Sequence, residues 1–314
     1  MSGVYGPDIV IAGSARSGTS SLASWLSSHP CVDPGAIKEP NFFSREADRG
    51  LDWYDRLYEP RRPDLLRLDA SMSYTFKQFP NALRDLVAES PRAVVIYAVR
   101  HPIRRLLSHY QLHRDYFGSD PAQSLGQALA PSGRYVSVYT GASDYAFWLP
   151  RLAERVDPSN LIIVPFPVIT GSREKLAEML CAATGLAEEP LRQQTAATDE
   201  HRNHVVQFRG GGVRKLRRVV RRAGLYPTVR RTLGADRLRR LRSLATRQAE
   251  TENLTDALAT CSADQLDQLR TLYESARTST AEALALQDSR LGLQWARDWH
   301  IECPEIAAGS EARW

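Results

Sequence analysis

The chain has 314 residues, 43% hydrophobic and 25% charged, which suits a globular protein with one large core or two modest ones. The net charge is only +5, no apolar run approaches the ~18 residues of a membrane span, and the N-terminus lacks a signal-peptide pattern. The four cysteines (Cys31, Cys181, Cys261, Cys303) are scattered without metal-ligand spacing and read as reduced thiols of a cytoplasmic protein.

Asp8-Ile-Val-Ile-Ala12 is a short apolar run ending in Gly13 and reads as a buried strand. Thr19 to Ser28 has helical spacing, with Leu22, Trp25 and Leu26 at i, i+3 and i+4. Residues 31–46 contain Pro34, Gly35 and Pro40 and read as a loop. A helix is expected over 50–58, a strand over 65–70 and a helix over 81–88. Residues 93–99, A-V-V-I-Y-A-V, form the best strand pattern in the chain. His101-Pro102 then opens a helix to about Tyr116, because proline suits a first turn. A helix near 143–156, a strand over 161–166 and a helix near 172–184 follow.

Strands alternating with helices predict an α/β fold, a P-loop-like central parallel sheet flanked by helices with a helical C-terminal region. The organisation expected is a single domain, with an α/β nucleotide-binding core over 1–208 and a basic, wholly helical extension over 209–314. Glycines 210–212 offer the one plausible hinge.

Between the first strand and helix lies Gly13-x4-Gly18-Thr19, the context of a phosphate-binding loop. Glycines let the backbone approach an anion, and the N–H groups of residues 16–20, aided by the helix dipole, would point at it. An ATP-hydrolysing loop carries lysine where this chain has Thr19. Arg16 is the cation available within the loop. The alternative is a Gly/Ser-rich turn without a ligand.

A second anion site is suggested after the 93–99 strand. Arg100 lies at that strand's C-terminal end, where open α/β sheets bind ligands. Ser108 lies two turns into the next helix. An arginine fork with a hydroxyl suits a phosphate dianion, with Arg104 as a substitute on the same helical face. The alternative is a solvated arginine-rich face. Two anion sites on one sheet edge suggest a nucleotide with two separated phosphates.

These residues together resemble the sulfotransferases that use 3′-phosphoadenosine 5′-phosphosulfate (PAPS), in particular heparan-sulfate sulfotransferases and their bacterial relatives. The resemblance rests on R-S-G-T-S-S-L (16–22), H-P (29–30), K-E-P-N-F-F (38–43), G-L-D-W-Y (50–54) and the 91–110 segment, in family order. It implies that Arg16, Ser17, Gly18, Thr19 and Ser20 hold the 5′-phosphosulfate, which has no γ-phosphate to grip. It implies that Arg100 and Ser108 hold the 3′-phosphate, and that a C-terminal basic loop, here F-R-G-G-G-V-R-K (208–215) with Arg209, closes over the nucleotide. Glu39 is the implied base, with Lys38 and Arg16 stabilising the leaving group and no metal required. Successive side chains of an extended segment point apart, so Lys38 and Glu39 would serve opposite sides. Asp69 and His109 are second-rank bases. Asn41 and the Asp69-Ala70-Ser71-Met72 stretch depart from the family pattern and leave the acceptor open. Aromatics in the loops 41–58, 70–78 and 117–145 (Phe42, Trp53, Tyr74, Tyr116, Tyr135) would line its pocket.

Residues 209–242 contain 13 Lys/Arg against one acidic residue, Asp236, so this segment is +12 and the remainder −7. It lacks interleaved stacking aromatics, which argues against nucleic acid. It reads as a solvated basic face, or as a contact for an acidic acceptor or anionic membrane. The acceptor expected is a small molecule or glycan-like compound, sulfated on a hydroxyl, with an amine as the alternative. The arginine bias, with no signal or membrane-anchor pattern to suggest a Golgi enzyme, points to a bacterial enzyme modifying a secondary metabolite or glycolipid. The rivals are a P-loop nucleotide kinase and a basic nucleic-acid- or membrane-binding protein.

Overall fold

The structure is a computed structural model that describes residues 6–193, 206–208, 246–248 and 253–304. These residues cluster into two compact units, Met1–Leu106 with Ser137–Arg202 and Leu266–Trp314, and Leu107–Val136 with Asn203–Gln265.

The first unit is built on a five-stranded sheet. Its strands are β1 (Ile9–Gly13), β2 (Val32–Asp33), β3 (Leu66–Asp69), β4 (Val94–Val99) and β5 (Leu161–Pro165). All pairings are parallel, in the order β2-β3-β1-β4-β5. Every residue of β1, β4 and β5 is buried, which explains their unbroken apolar runs: helices cover both faces, so no position alternates with solvent. The chain leaves β1 toward β3 and later returns past it to β4. That reversal opens a crevice at the carboxyl ends of β1 and β4, where sheets of this type bind ligands.

The helices are α1 (Thr19–Leu26), α2 (Leu51–Asp55), α3 (Ala82–Glu89), α4 (Pro102–Gln111), α5 (Leu125–Ala128), α6 (Val136–Gly141), α7 (Tyr145–Arg155), α8 (Phe166–Thr170), α9 (Glu174–Thr184) and α10 (Glu189–Arg192). Near the C-terminus come α11 (Leu254–Leu258), α12 (Ala263–Leu291) and α13 (Trp295–Glu302). α1 buries Leu22, Ala23, Trp25 and Leu26, and the Trp25 indole N–H donates to the Leu191 carbonyl at 3.0 Å. α12 seals the sheet's edge. The Gln287 amide accepts from the Ile163 N–H (2.8 Å) and donates to its carbonyl (2.9 Å), acting as a substitute strand. No described helix is long and apolar enough to cross a membrane.

The sheet matches the expected strands, and four local expectations need correction. Residues 31–46 are not wholly loop, because Val32 and Asp33 pair with Leu66 and Arg67. The helix expected over 50–58 stops at Asp55; Tyr58 instead directs its hydroxyl to Tyr54 and the Leu68 carbonyl. The helix after Pro102 is α-helical only to Gln111 and widens into a π turn over Leu112–Phe117, closed by a left-handed Gly118. The region after 208 is not wholly helical: Thr246–Gln248 (β7) pairs antiparallel with Val206–Phe208 (β6) in the second unit.

Candidate active site

β1 delivers Gly13 to the crevice, and only glycine fits there. A Cβ on it would lie 2.4 Å from the Thr75 hydroxyl and 2.7 Å from the Tyr97 ring. The loop is then tied to β4: the Ser14 amide and hydroxyl both donate to the Ala98 carbonyl (2.8 and 2.9 Å), and Ser14 and Ser17 share a 2.6 Å hydroxyl contact. Arg16 (φ 72°) and Gly18 (φ 86°) are left-handed. That conformation costs a non-glycine residue about 1–2 kcal/mol, so Arg16 is held in it by its surroundings. α1 begins with no side-chain cap and no acidic residue in its first turn. Its first N–H groups and positive dipole end therefore remain available to an anion.

Three arginines surround this loop. The Arg100 guanidinium donates to the Arg16 carbonyl at 3.1 Å and lies over the Phe166 ring, 4.5 Å from its centre. The Arg100 peptide is bracketed by the Tyr145 hydroxyl, which accepts from its N–H (3.1 Å) and donates to its C=O (2.9 Å). Arg105 is fully buried and donates to the Ser143 hydroxyl (2.6 Å), the Ala15 carbonyl (2.9 Å) and the Tyr139 carbonyl (2.5 Å). Burial lowers all three guanidinium pKa values, Arg16 and Arg105 to about 10. Arg100 and Arg105 lower Arg16 further by repulsion. Positive charge is thus concentrated beside an open helix start, an arrangement that an anion relieves.

The loop residues divide in role. Ser17 is buried against Ser14. The Thr19 hydroxyl donates to the Met72 sulfur at 3.0 Å, so the residue at the lysine position of an ATP-hydrolysing loop packs against the adjoining segment. The Ser20 hydroxyl accepts from Lys38 Nζ at 2.7 Å. Lys38 Nζ also pairs with Glu39 Oε1 at 3.2 Å. The two side chains meet instead of facing opposite sides, because residues 36–38 form a bend and strand alternation does not apply. Lys38 thereby joins the first turn of α1 to Glu39.

Asn41 fixes the segment that carries Glu39. It is left-handed (φ 55°). Its Nδ2 donates to the Glu39 carbonyl (2.7 Å), its amide to the Ser71 hydroxyl (2.9 Å), and its Oδ1 accepts from the Ser73 hydroxyl (2.6 Å). Asp69 lies beneath, fully buried, with Tyr54 and Tyr74 hydroxyls donating to its Oδ2 at 2.8 and 2.7 Å. Burial raises its pKa, and hydrogen bonds from its neighbours partly offset this. A carboxylate so enclosed cannot meet an acceptor, which removes Asp69 from the candidate bases. Phe42 and Tyr74 are likewise buried, Phe42 stacking on Tyr54 at 4.9 Å and Tyr74 edge-on to Phe43 at 5.6 Å. They build core and do not line an acceptor pocket. The histidine of the H-P motif is also structural: His29 Nδ1 accepts from the Cys31 amide and Nε2 contacts the Ala187 carbonyl at 3.1 Å.

Arg104 is exposed on the outer face of α4. Ser108 and His109 lie farther along α4, within the second unit; Ser108 is half-buried, and the buried His109 ring sits 4.9 Å from His113. Arg209 and the basic 209–242 segment lie outside the described residues. Arg105 and Tyr145 were not expected from sequence. A buried arginine is recognisable only by its acceptors, and these lie 34 to 90 positions away.

Residues 6–140 match the sulfotransferase domain family. The chain is 35% identical over 202 residues to heparan sulfate glucosamine 3-O-sulfotransferase 6 of Mus musculus, covering 62% of this chain and 55% of that protein. It is 31% identical over 111 residues to the bifunctional heparan sulfate N-deacetylase/N-sulfotransferase 1 of Caenorhabditis briggsae, covering 33% of this chain and 12% of that protein. The chain thus spans about half the length of the first relative and far less of the second. Among solved structures, a sulfotransferase from Alicyclobacillus acidocaldarius aligns with a TM-score of 0.49 at 23% identity, over 58% of this chain and 82% of that one.

Proposed function

We propose that this chain, whose residues 6–140 match the sulfotransferase domain family, transfers a sulfuryl group from PAPS to a hydroxyl of a glycan-like or small-molecule acceptor. The observation that carries the reading is the convergence of Arg16, Arg100 and Arg105 on a loop whose following helix starts without a cap. Sulfuryl transfer requires in-line positioning and neutralisation of charge developing on the leaving phosphate.

The loop N–H groups and Arg16 would take the 5′-phosphosulfate, and Arg100 the 3′-phosphate. The acceptor oxygen forms a bond to sulfur as the bond from sulfur to the bridging phosphate oxygen breaks. The acceptor proton passes to Glu39, and adenosine 3′,5′-bisphosphate leaves. Lys38, in contact with both Ser20 and Glu39, is placed to follow the leaving-group charge while orienting the base. The glycan-like acceptor class is supported by the relatives, which are named as heparan sulfate sulfotransferases.

The test is calorimetric titration with adenosine 3′,5′-bisphosphate, using 5′-AMP and ATP–Mg²⁺ as comparisons, followed by transfer from ³⁵S-labelled PAPS to heparan-type and small hydroxyl acceptors. Micromolar binding that depends on the 3′-phosphate supports the reading. A preference for ATP–Mg²⁺ would replace it with a P-loop kinase.

A further inference from the structure

The C-terminal helix returns a carboxylate to His101, the residue that follows the arginine proposed for the 3′-phosphate. Glu302, the last residue of α13, accepts the His101 amide N–H on Oε1 at 3.1 Å. Its Oε2 is buried and has no hydrogen-bond partner among the described residues. His101 occupies the turn between β4 and α4. Its Nδ1 accepts from the Arg104 amide at 3.4 Å, so the ring serves as an acceptor at the start of α4 and must be neutral. Burial, then Arg104 and Arg100, push its pKa down to about 3, so it does not titrate near neutrality.

The groups facing Glu302 come from each surrounding element. Arg100 and Arg104 act on its charge from the β4 end and α4, and both favour the carboxylate. Tyr273 of α12 lies with its ring 5.0 Å from His101 and gives its hydroxyl to the Pro304 carbonyl. Cys303 is buried beside it on the same turn, with its thiol pushed up by burial and then by Glu302, while Arg277 opposes the rise. Arg100 directs its guanidinium to the Arg16 carbonyl, so the carboxylate benefits from the arginine's charge without occupying it. Burial already raises the Glu302 pKa, and the His101 amide, then Arg100 and Arg104, oppose that rise.

We propose that Glu302 is a proton-linked positioning residue, taking up a proton when a phosphate binds at Arg100. The inference rests on the proposed nucleotide reading. A phosphate dianion at Arg100 adds like charge near Glu302 and engages the cation that favoured its ionised form. Oε2, which meets no donor among the described residues, is the oxygen assigned the proton. By linkage, the affinity for a 3′-phosphorylated nucleotide then falls as pH rises through the interval between the Glu302 pKa of the free protein and that of the complex.

The test is calorimetric titration of adenosine 3′,5′-bisphosphate at pH 6.5 and 7.5, in buffers of different ionisation enthalpy, for wild type and Glu302→Gln. Proton uptake greater in wild type than in the variant is expected, with the variant binding about threefold to tenfold more tightly at pH 7.5 because the like charge is gone. Equal proton counts in the two proteins would overturn the inference and leave the nucleotide reading intact. Failure of wild type to bind the bisphosphate would overturn both. If Glu302→Gln does not fold, wild type alone decides. Uptake with the bisphosphate that is absent with 5′-AMP supports the proposal, and equal counts for the two nucleotides refute it.

Discussion

The Arg105 guanidinium holds the Ala15 carbonyl at 2.9 Å, joining α4 to the phosphate loop across 90 positions of chain. The same group donates to Ser143 and Tyr139, so one buried cation fixes three segments. Arg105→Met leaves three buried acceptors without that donor, and a loss of about 3 kcal/mol or more is expected in urea unfolding. Arg105→Lys keeps the charge but not the fork. It should retain more stability while still weakening adenosine 3′,5′-bisphosphate binding, because the loop is no longer held. Unchanged stability in Arg105→Met would show that Arg105 is not an anchor.

Arg100→Ala should weaken adenosine 3′,5′-bisphosphate by about 10- to 150-fold, the range for a hydrogen bond to a charged group. Binding of 5′-AMP should change much less, because the 3′-phosphate is the group Arg100 is assigned. Calorimetry with both ligands separates the two effects. An equal loss for both would mean that Arg100 acts on the loop through the Arg16 carbonyl.

Glu39→Gln removes the candidate base but keeps a similar shape beside Lys38. Bisphosphate affinity should stay within about twofold, while sulfuryl transfer falls by about 10²- to 10⁴-fold. The readout is initial rate with labelled PAPS and an acceptor found by screening. Full activity in the variant would exclude Glu39 as the base.

Asp69 gives a pH signature in stability. Its folded-state pKa is raised above the ordinary 3.8, chiefly by burial. The folded protein therefore binds this proton more tightly than the unfolded chain does. The contribution is fully present below the ordinary value and is lost as pH rises through the folded-state value. Wild type should lose stability relative to Asp69→Asn as pH rises above the ordinary carboxylate value of 3.8 in urea unfolding. A constant difference across that range would show that the Asp69 pKa is not raised in the folded state.

What was legible in the sequence had local causes. Ile9–Gly13, Val94–Val99 and Leu161–Pro165 announce themselves because strands covered on both faces need unbroken apolar side chains. The loop between Gly13 and Thr19 was legible because close approach and left-handed backbone demand glycine, and both demands are met at Gly13 and Gly18. The placement of Arg16 and Arg100 at the crevice follows from their positions just beyond two adjacent parallel strands.

Other features were decided only by tertiary structure. Arg104 and Arg105 are adjacent and chemically identical, yet one is exposed and the other fully buried. The choice is made by carbonyl and hydroxyl acceptors brought in from Ala15, Tyr139 and Ser143. Lys38 and Glu39 meet because the chain bends there. Asp69, Phe42 and Tyr74 sit in motifs that suggested chemistry, and packing against Tyr54 and Phe43 assigns them to the core. Glu302 reaches His101 across 201 positions. Local sequence determines periodicity, glycine need and strand ends, whereas the partner of a buried charge depends on which distant segments the fold brings alongside it.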